Sequence, residues 1–534
     1  SSSADERGGC RVLPGRRAST NDMSQLAAGV TDSDLLDRPH TWERLPSPVP
    51  SPPSTPAPRD GSNEPDGGPA GKLLVMKFGG SSLASFQHLQ RVVEIVRSQL
   101  SRRPVVVLSA MGSTTNKLLA AADKALKTGI VDIKEVKEFQ EGVFKELGIP
   151  MPEKVAELIE ELHRILSGVG LLREISARAR DRIVSFGERI SVQVFAAVFN
   201  QTLENQMEEV KAKGIDSWEI GMLTTSGGGS ADSAFSQAEI LPSSYTSIAL
   251  HLRPLKDKYD HVPIITGYIA QDSEGKITTL GRDGSDLTAT VIGASILASE
   301  VQIWKDVSGI MTTDPRVVPA ARPVGVLTFE EAAELSTFGA KVVHPAAVMP
   351  AWQAKVPMSV RNSTAPEHPG TRIVAELEAQ TLRDGRVVAL SSKRNITMIV
   401  IRSTRMLGQH GFLAHVFAVF NKFEASVDVI ATSEVSVSLT LDRGYKAVNL
   451  KGLREELISI ASVDVYESMA MLTLITAKRD SVTVLRQSFE VFEQSGVHVE
   501  MVSHGASNVN VTFVIPDDAL LSCTQKLHET FFEK

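Results

Sequence analysis

The chain carries only two cysteines in 534 residues, Cys10 and Cys523. That scarcity argues against a disulfide framework and a thiolate metal site, and suits a reducing compartment. Positive charge is not in excess either. The formal net charge is −7, which gives no electrostatic footprint for nucleic acid. No apolar run approaches the length of a membrane-spanning helix. The GxGxxG dinucleotide fingerprint is absent, as are HExxH, a zinc-spaced Cys/His set and a GxSxG elbow. What remains is an ordinary globular composition, 42% hydrophobic and 22% charged. The chain is too long for one core, so about two to four domains are expected.

The first 70 residues differ from the rest. They hold 11 of the 26 prolines, with PSPVPSPPSTPAP as a low-complexity centre. Such a stretch buries too little apolar surface to offset its ordering entropy, so 1–71 is read as a disordered Pro-rich N-terminal segment. Its arginines and serines hint at an organelle transit region. Its ten acidic residues point the other way, because transit peptides are poor in acid.

From Lys72 to about Ile373, short β-branched strands alternate with amphipathic helices. That order argues for an α/β domain with a largely parallel sheet, whose ligands bind beyond the C-terminal strand ends. After about residue 385 the texture changes. Val387–Leu390, Ile396–Ile401, Val435–Leu441, Ala470–Ile475 and Val509–Ile515 read as strands, and 411–423, 448–459 and 480–495 as helices. The order is that of a small βαββαβ unit present twice. The stretch 411–441 resembles 481–515, each running from an amphipathic helix through Val-Asp or Val-Glu to an alternating strand.

The chemistry concentrates right after strands. The apolar run Leu73–Met76 leads into Lys77, Phe78, Gly79, Gly80, Ser81 and Ser82. Glycines let a backbone approach a ligand closely, a helix start offers unpaired N–H donors, and Lys77 adds a compact cation. The lysine precedes the glycines, so this is no Walker A loop. A strand–Gly-Gly–helix turn is also a common tight connection, so other segments must agree. Ser109–Asn116 is a hydroxyl-rich turn opening a helix, which a plain helix start also explains. Val184–Ser191 puts Gly187 and Glu188 inside a helical stretch; glycine costs stability there, so something approaches closely. Thr278–Asp286 (TTLGRDGSD) joins two glycines, Arg282, Ser285 and two carboxylates between a strand and a helix. Asp286 falls where an N-cap is expected, and capping is its plainer reading. Ile303–Arg316 (IWKDVSGIMTTDPR) follows another strand, and Phe338–Pro345 adds Lys341 and His344. The histidine is read as structural, beside a proline-fixed turn. With lysines, arginines and glycine turns but no nucleophile constellation, the inventory points to phosphoryl transfer.

These motifs, in this order, resemble the aspartate kinases of the amino-acid kinase family: KFGGSS, SFGE, TLGRDGSD, WKDVSGIMTTDPR, FGAKVVHP and MLGQHGFLAHVF. The likeness runs from Lys77 to near the C-terminus and is greatest to monofunctional, lysine-sensitive plant-type members. The sequence ends soon after the second repeat, which argues against the bifunctional enzymes with a homoserine dehydrogenase. The resemblance implies an amino-acid kinase-like three-layer sandwich at 72–375. It implies two α+β ACT domains after it, the first at 404–468 inserted into the second at 385–403 and 469–534. It implies ATP, with Mg²⁺ held mainly by the phosphates, and L-aspartate as acceptor. Lys77, Asp286 and Lys341 would be catalytic. Ser81, Thr115, Glu188, Arg282 and Ser285 would hold the substrate, Glu188 on its α-ammonium and Arg282 on its α-carboxylate. Lys77, Gly79, Gly80, Lys305, Asp306, Met311, Arg316 and Lys341 would surround ATP. Two departures stand out. Ser82 stands where the family often has threonine, and Met311 where many bacterial members have an aromatic residue.

For the ACT units the resemblance implies an allosteric lysine site made by Met406, Gln409, Gly411, Phe412, Asp428, Thr432, Ser433 and Glu434. Gln409 stands where bacterial relatives often have serine. A homodimer through the ACT units, S-adenosylmethionine as a candidate co-inhibitor and a plastid location also follow from the likeness, with the cytoplasm as the alternative location. No nucleic acid or membrane partner is expected. Two other readings stay open: a kinase of another small amino acid such as glutamate or N-acetylglutamate, and a catalytically inactive amino-acid sensor.

Overall fold

A computed structural model describes residues 73–204, 210–225, 238–281, 283–337, 343–377, 387–403, 410–441, 449–476, 481–505 and 509–533. The Pro-rich segment at 1–71 lies outside the described residues, as do Arg282, Lys341, Met406 and Gln409.

The first half is built on strands β1 (Leu74–Phe78), β2 (Pro104–Leu108), β3 (Lys211–Ile215), β4 (Leu223–Thr224), β5 (His261–Thr266), β6 (Ile269–Asp272), β7 (Ile277–Thr279), β8 (Glu300–Lys305), β9 (Val326–Thr328), β10 (Met358–Asn362) and β11 (Thr371–Val374). Eight form one sheet in the order β3-β5-β2-β1-β8-β10-β11-β9, and β4-β6-β7 form a small second sheet. All neighbours in the large sheet are parallel except β10 and β11. Central β1 is buried along its whole length, which requires cover on both faces. Alternation supplies it. Leu74, Met76 and Phe78 pack toward helices 86–97, 114–128, 134–147, 153–172 and 177–204, whereas Val75 packs toward helices 243–252, 284–296, 329–337 and 345–353. This is the expected three-layer α/β/α arrangement. Each large side chain so buried contributes about 1.5–3 kcal/mol before entropy is charged against it. Alternation also places Lys77 on the Val75 face, under the helix Gly284–Ile296.

The second half carries β12 (Val387–Arg402), β13 (Val427–Thr432), β14 (Ser436–Leu441), β15 (Ser462–Thr476), β16 (Met501–His504) and β17 (Asn510–Pro516). They form one antiparallel sheet in the order β13-β14-β12-β15-β17-β16. The sequence suggested separate strands at 387–390 and 396–401. In the structure they are one 16-residue strand, its register shifting between Lys393 and Ile396. Asn395 takes a left-handed φ of 54°, and its N–H and the Arg394 side chain both bond Asp517. The kink that looked like a strand end is absorbed there.

Two cores flank that kink. Leu390 packs with Leu472, Val484, Phe492, Phe513 and Leu527. Ile399 and Ile401 pack with Val416, Phe420, Leu439 and Leu453. The expected division counted all of 385–403 with the second unit. The strand runs on past the bulge and packs on both faces there: Ile399 and Ile401 with the first unit's core, Ile396, Met398 and Val400 with Val429, Met469, Met471, Met501 and Val514. The halves of the chain are tied at Thr312, whose carbonyl accepts from Leu390 N–H at 2.7 Å and whose hydroxyl meets His528 Nε2 at 3.0 Å. No helix among the described residues is long and apolar enough to cross a membrane.

Candidate active site

The helix Gly284–Ile296 starts at Asp283, which has a left-handed φ of 55° and makes no side-chain cap bond. Asp286 is therefore not the cap that the sequence suggested. It sits inside the first turn, fully buried, with its carboxylate aimed at β1. One oxygen lies 2.6 Å from Lys77 Nζ and the other 3.0 Å from Lys305 Nζ, at the C-terminal ends of adjacent parallel strands. Burial opposes ionisation of Asp286, but the two ammonium groups outweigh it and hold its carboxyl below the usual range. Two cations share one buried anion, so the cluster carries a net positive charge suited to phosphate.

Glycines bring the neighbouring loops against this cluster. A side chain on Gly79 would come within 3.8 Å of Lys77 Nζ, and one on Gly80 within 2.7 Å of the Ala110 carbonyl. The sequence suggested that a helix begins directly after the glycines. A 3-10 turn, Gly80–Leu83, comes first, and Ser85 caps the helix at 86–97. Ser81 in that turn is exposed.

Gly187 explains itself in the same way. A side chain there would meet Ala110 Cβ at 2.8 Å and Thr115 Oγ1 at 3.8 Å, so the turn at 109–115 rests on the helix Ala177–Glu204. The next residue, Glu188, is buried, and its Oε1 accepts from Ala110 N–H at 3.1 Å. Its Oε2 is buried with no hydrogen-bond partner among the described residues. Burial pushes the Glu188 carboxyl up to about 8, against the Ala110 hydrogen bond and the Lys77 charge. An orphaned carboxylate oxygen of this kind fits a cationic group brought by a ligand. Ser285 completes this side, accepting from Ser109 Oγ at 2.9 Å, while Ser191 Oγ donates to the Ser109 carbonyl.

That shift has a measurable consequence. Between its ordinary 4.5 and the folded value of about 8, Glu188 binds a proton in the native chain that the unfolded chain has released. Its contribution to stability therefore falls as pH rises through this window. Glu188→Gln removes the titration. The ligand-free variant is expected to melt above wild type at pH 9, with the gap closing by pH 5, in thermal denaturation scans across pH. A gap independent of pH would contradict this environment for Glu188.

The other expected residues are more open. Asp306 is exposed and Met311 half-buried. Arg316, expected near the phosphates, is 89% exposed and clasps Asp314 at 2.7 Å. His344, read as structural, caps the helix Pro345–Gln353, its Nδ1 accepting from Ala346 N–H. In the C-terminal half, Gly411 takes a φ of 86° and caps the helix beginning at Phe412, which packs at the edge of the first unit's core. Thr432, Ser433 and Glu434 are exposed, and Ser433 Oγ accepts from Val435 and Ser436 N–H at the turn into β14. Asp428 is paired with Lys393 of β12 at 3.1 Å. Sequence reasoning missed Ser109, Ser191 and Lys393. The first two stood inside segments already singled out, but nothing local marked Lys393, whose partner is 35 residues away.

A parallel sheet whose strand ends converge on two lysines, one aspartate and glycine turns defines a phosphoryl-transferring α/β kinase. The pattern describing the Amino acid kinase family matches residues 72–362, and that of the ACT domain matches 478–531. The chain is 42% identical to Aspartokinase 1, chloroplastic, of Arabidopsis thaliana over 479 residues, covering 87% of this chain and 81% of that one. It is 34% identical to Lysine-sensitive aspartokinase 3 of Escherichia coli (strain K12), covering 86% of this chain and 100% of that one. Among solved structures it superposes on E. coli aspartokinase III in complex with aspartate and ADP with a TM-score of 0.70 at 33% identity, covering 86% of this chain and 99% of that one. The same enzyme in complex with lysine and aspartate gives 0.68. This chain belongs to the amino acid kinase family and, within it, to the aspartokinases.

Proposed function

We propose that the chain transfers the γ-phosphoryl group of ATP to the side-chain carboxylate of L-aspartate, giving 4-phospho-L-aspartate and ADP. The observation that carries this reading is the buried Lys77–Asp286–Lys305 cluster beside Glu188, whose Oε2 has no partner among the described residues. Phosphoryl transfer asks a protein mainly for positioning and charge stabilisation. An oxygen of the substrate's side-chain carboxylate attacks the γ-phosphorus, and the bond to the β–γ bridging oxygen breaks. Lys77 neutralises charge on the moving group, with Gly79, Gly80 and Ser81 beside its path. Lys305, Asp306, Met311, Arg316 and Lys341 serve ATP. Mg²⁺ would be held mainly by the phosphates of ATP. Asp286 holds the two lysines in register.

Glu188 receives the α-ammonium of the substrate, whose charge favours the ionised carboxylate, so the proton that burial leaves on the free carboxyl is released to solvent on binding. Arg282 pairs with the α-carboxylate, while Thr115 and Ser285 stand alongside. A coupled ADP-release assay with L-aspartate, L-glutamate and N-acetyl-L-glutamate tests the reading. Turnover with aspartate above the other two supports it. Preference for another acceptor would move the substrate assignment, and no turnover with any would favour an inactive sensor.

We further propose that the second half is a pair of ACT units, 404–468 within 385–403 and 469–534. L-lysine inhibits from the first unit, where Gly411, Phe412, Asp428, Thr432, Ser433 and Glu434, with Met406 and Gln409, form its site. Two such units meet in a homodimer. S-adenosylmethionine is the candidate co-inhibitor. The relatives named chloroplastic support a plastid location. Asp428 already holds the Lys393 ammonium, so a lysine effector competes with an internal cation for the same carboxylate. An effector inhibits only by binding the inactive arrangement more tightly. Asp428→Ala is expected to raise the lysine concentration for half-inhibition about tenfold or more, since a charge-assisted contact is worth about 1.5–3 kcal/mol. Uninhibited kcat and both KM values stay near wild type. An unchanged inhibition curve would move the effector site elsewhere.

A further inference from the structure

Neighbouring residues of a strand face opposite ways, so Lys77 and Lys305 share one face of the large sheet and Phe78 and Trp304 the other. On that second face Trp304 stacks on Phe78 at 5.7 Å, within the core under the helices from 86–97 to 177–204. Strands β10 and β11 lie beyond that core. Met358, Val360 and Ile373 join the core of the opposite face, and neither strand adds a residue to this one. What they present here is polar. Ser359 stands opposite Arg372 in the β10–β11 pair, and Arg361 follows two residues on, beside Trp304 of β8. All of these side chains therefore leave the sheet on the same side.

Ser359, Arg361 and Arg372 line a cavity of about 420 Å³ together with Arg102 and Glu300. Glu300 is the one carboxylate among the lining residues, and both its oxygens are engaged. Oε1 accepts from the Ser359 hydroxyl, and Oε2 from Arg102 Nη2 at 2.8 Å and Gln302 Nε2 at 3.0 Å. Burial opposes its ionisation, but these bonds outweigh burial and hold the carboxyl below the usual range. Arg102 is thereby paired. Arg361 and Arg372 make no ion pair among the described residues. Arg372 is exposed. The Arg361 guanidinium lies 5.4 Å from the centre of the Trp304 ring, and its Nε is buried with no hydrogen-bond partner among the described residues. Three guanidiniums face one carboxylate, an excess of two positive charges.

We propose that this cavity binds a small dianion, a phosphate group or a dicarboxylate, between Arg361 and Arg372. A planar guanidinium matches either group by a pair of parallel hydrogen bonds, and two such forks balance two negative charges. A buried donor left without a partner is costly, and an anion at Arg361 relieves that cost. The cavity has the size of a small-molecule site. It lies on the other side of the sheet from the Lys77–Asp286–Lys305 cluster, so its occupant does not compete for the phosphoryl path. The two places are nonetheless close in the fold. Arg361 covers Trp304, Trp304 stacks on Phe78, and these two rings are the chain neighbours of Lys305 and Lys77. The inference stands on the cavity alone and does not rest on the kinase reading.

The test is calorimetric titration of the full chain with inorganic phosphate and, separately, with succinate. The protein is first saturated with a non-hydrolysable ATP analogue and L-aspartate, so that the active site is filled. Saturable binding of at least one of the two anions is expected, and which one binds names the group that the cavity takes. Arg361→Gln and Arg372→Gln are each expected to weaken that binding about tenfold or more, while affinity for the ATP analogue stays within about twofold of wild type. If Arg361→Gln does not fold, Arg372→Gln, at an exposed position, decides the matter. No saturable binding of either anion, or binding that a folded arginine variant keeps at wild-type strength, would overturn the site. Should the chain bind neither the analogue nor aspartate, the kinase reading falls, and the arginine variants still decide whether the cavity holds the anion.

Discussion

Lys77→Ala is expected to lower kcat by about a hundredfold or more while changing the aspartate KM far less. Lys77 ends on a central strand with its ammonium 2.6 Å from a buried carboxylate, so its place is fixed before substrate arrives. A preorganised charge of this kind matters most when negative charge moves between oxygens, not when the ground state binds. Steady-state kinetics on a variant with a wild-type circular dichroism spectrum checks this. A near-normal kcat would remove Lys77 from the chemistry.

Asp286→Asn should act on both catalysis and stability. Asp286 is fully buried and holds Lys77 and Lys305 at 2.6 and 3.0 Å. Without its charge the two ammonium groups face each other across a site that lacks an anion. Removing one partner of a buried ion pair costs about 3–5 kcal/mol. Here part of that cost returns as the lysines move apart, and that movement displaces them from the phosphoryl path. We expect kcat to fall by about a hundredfold or more, and the ligand-free protein to unfold at clearly lower denaturant. Because ATP supplies the missing negative charge, added nucleotide should restore more stability to the variant than to wild type. Equal stabilisation of the two would mean that the lysines are not neutralised by phosphate.

The first half was legible because its chemistry is local. Lys77, Gly79 and Gly80 stand together at a strand end, within one short run of sequence. Glu188 stood out as a carboxylate among apolar neighbours beside a helical glycine. Asp286 was misread at the level of capping, because Asp283 starts the helix one turn earlier in a left-handed conformation that the sequence Arg-Asp-Gly-Ser-Asp does not specify. The pairings Asp181–Thr279 and Lys393–Asp428 join residues 98 and 35 positions apart, and only tertiary packing brings them together. The strand at 387–402 was divided because Lys-Arg-Asn carries the composition of a turn. Its bonds to Asp517 keep it within one strand.

The most direct measurement is the trapping of the acyl phosphate. Incubating the wild-type enzyme with L-aspartate, ATP, Mg²⁺ and hydroxylamine converts a phosphorylated side-chain carboxylate into its hydroxamate, which mass spectrometry assigns to the α or β position. The account predicts the β-hydroxamate in step with ADP release, and its loss in Lys77→Ala. ADP release without hydroxamate, or undiminished β-hydroxamate from the Lys77→Ala enzyme, would contradict the site and the chemistry assigned to it.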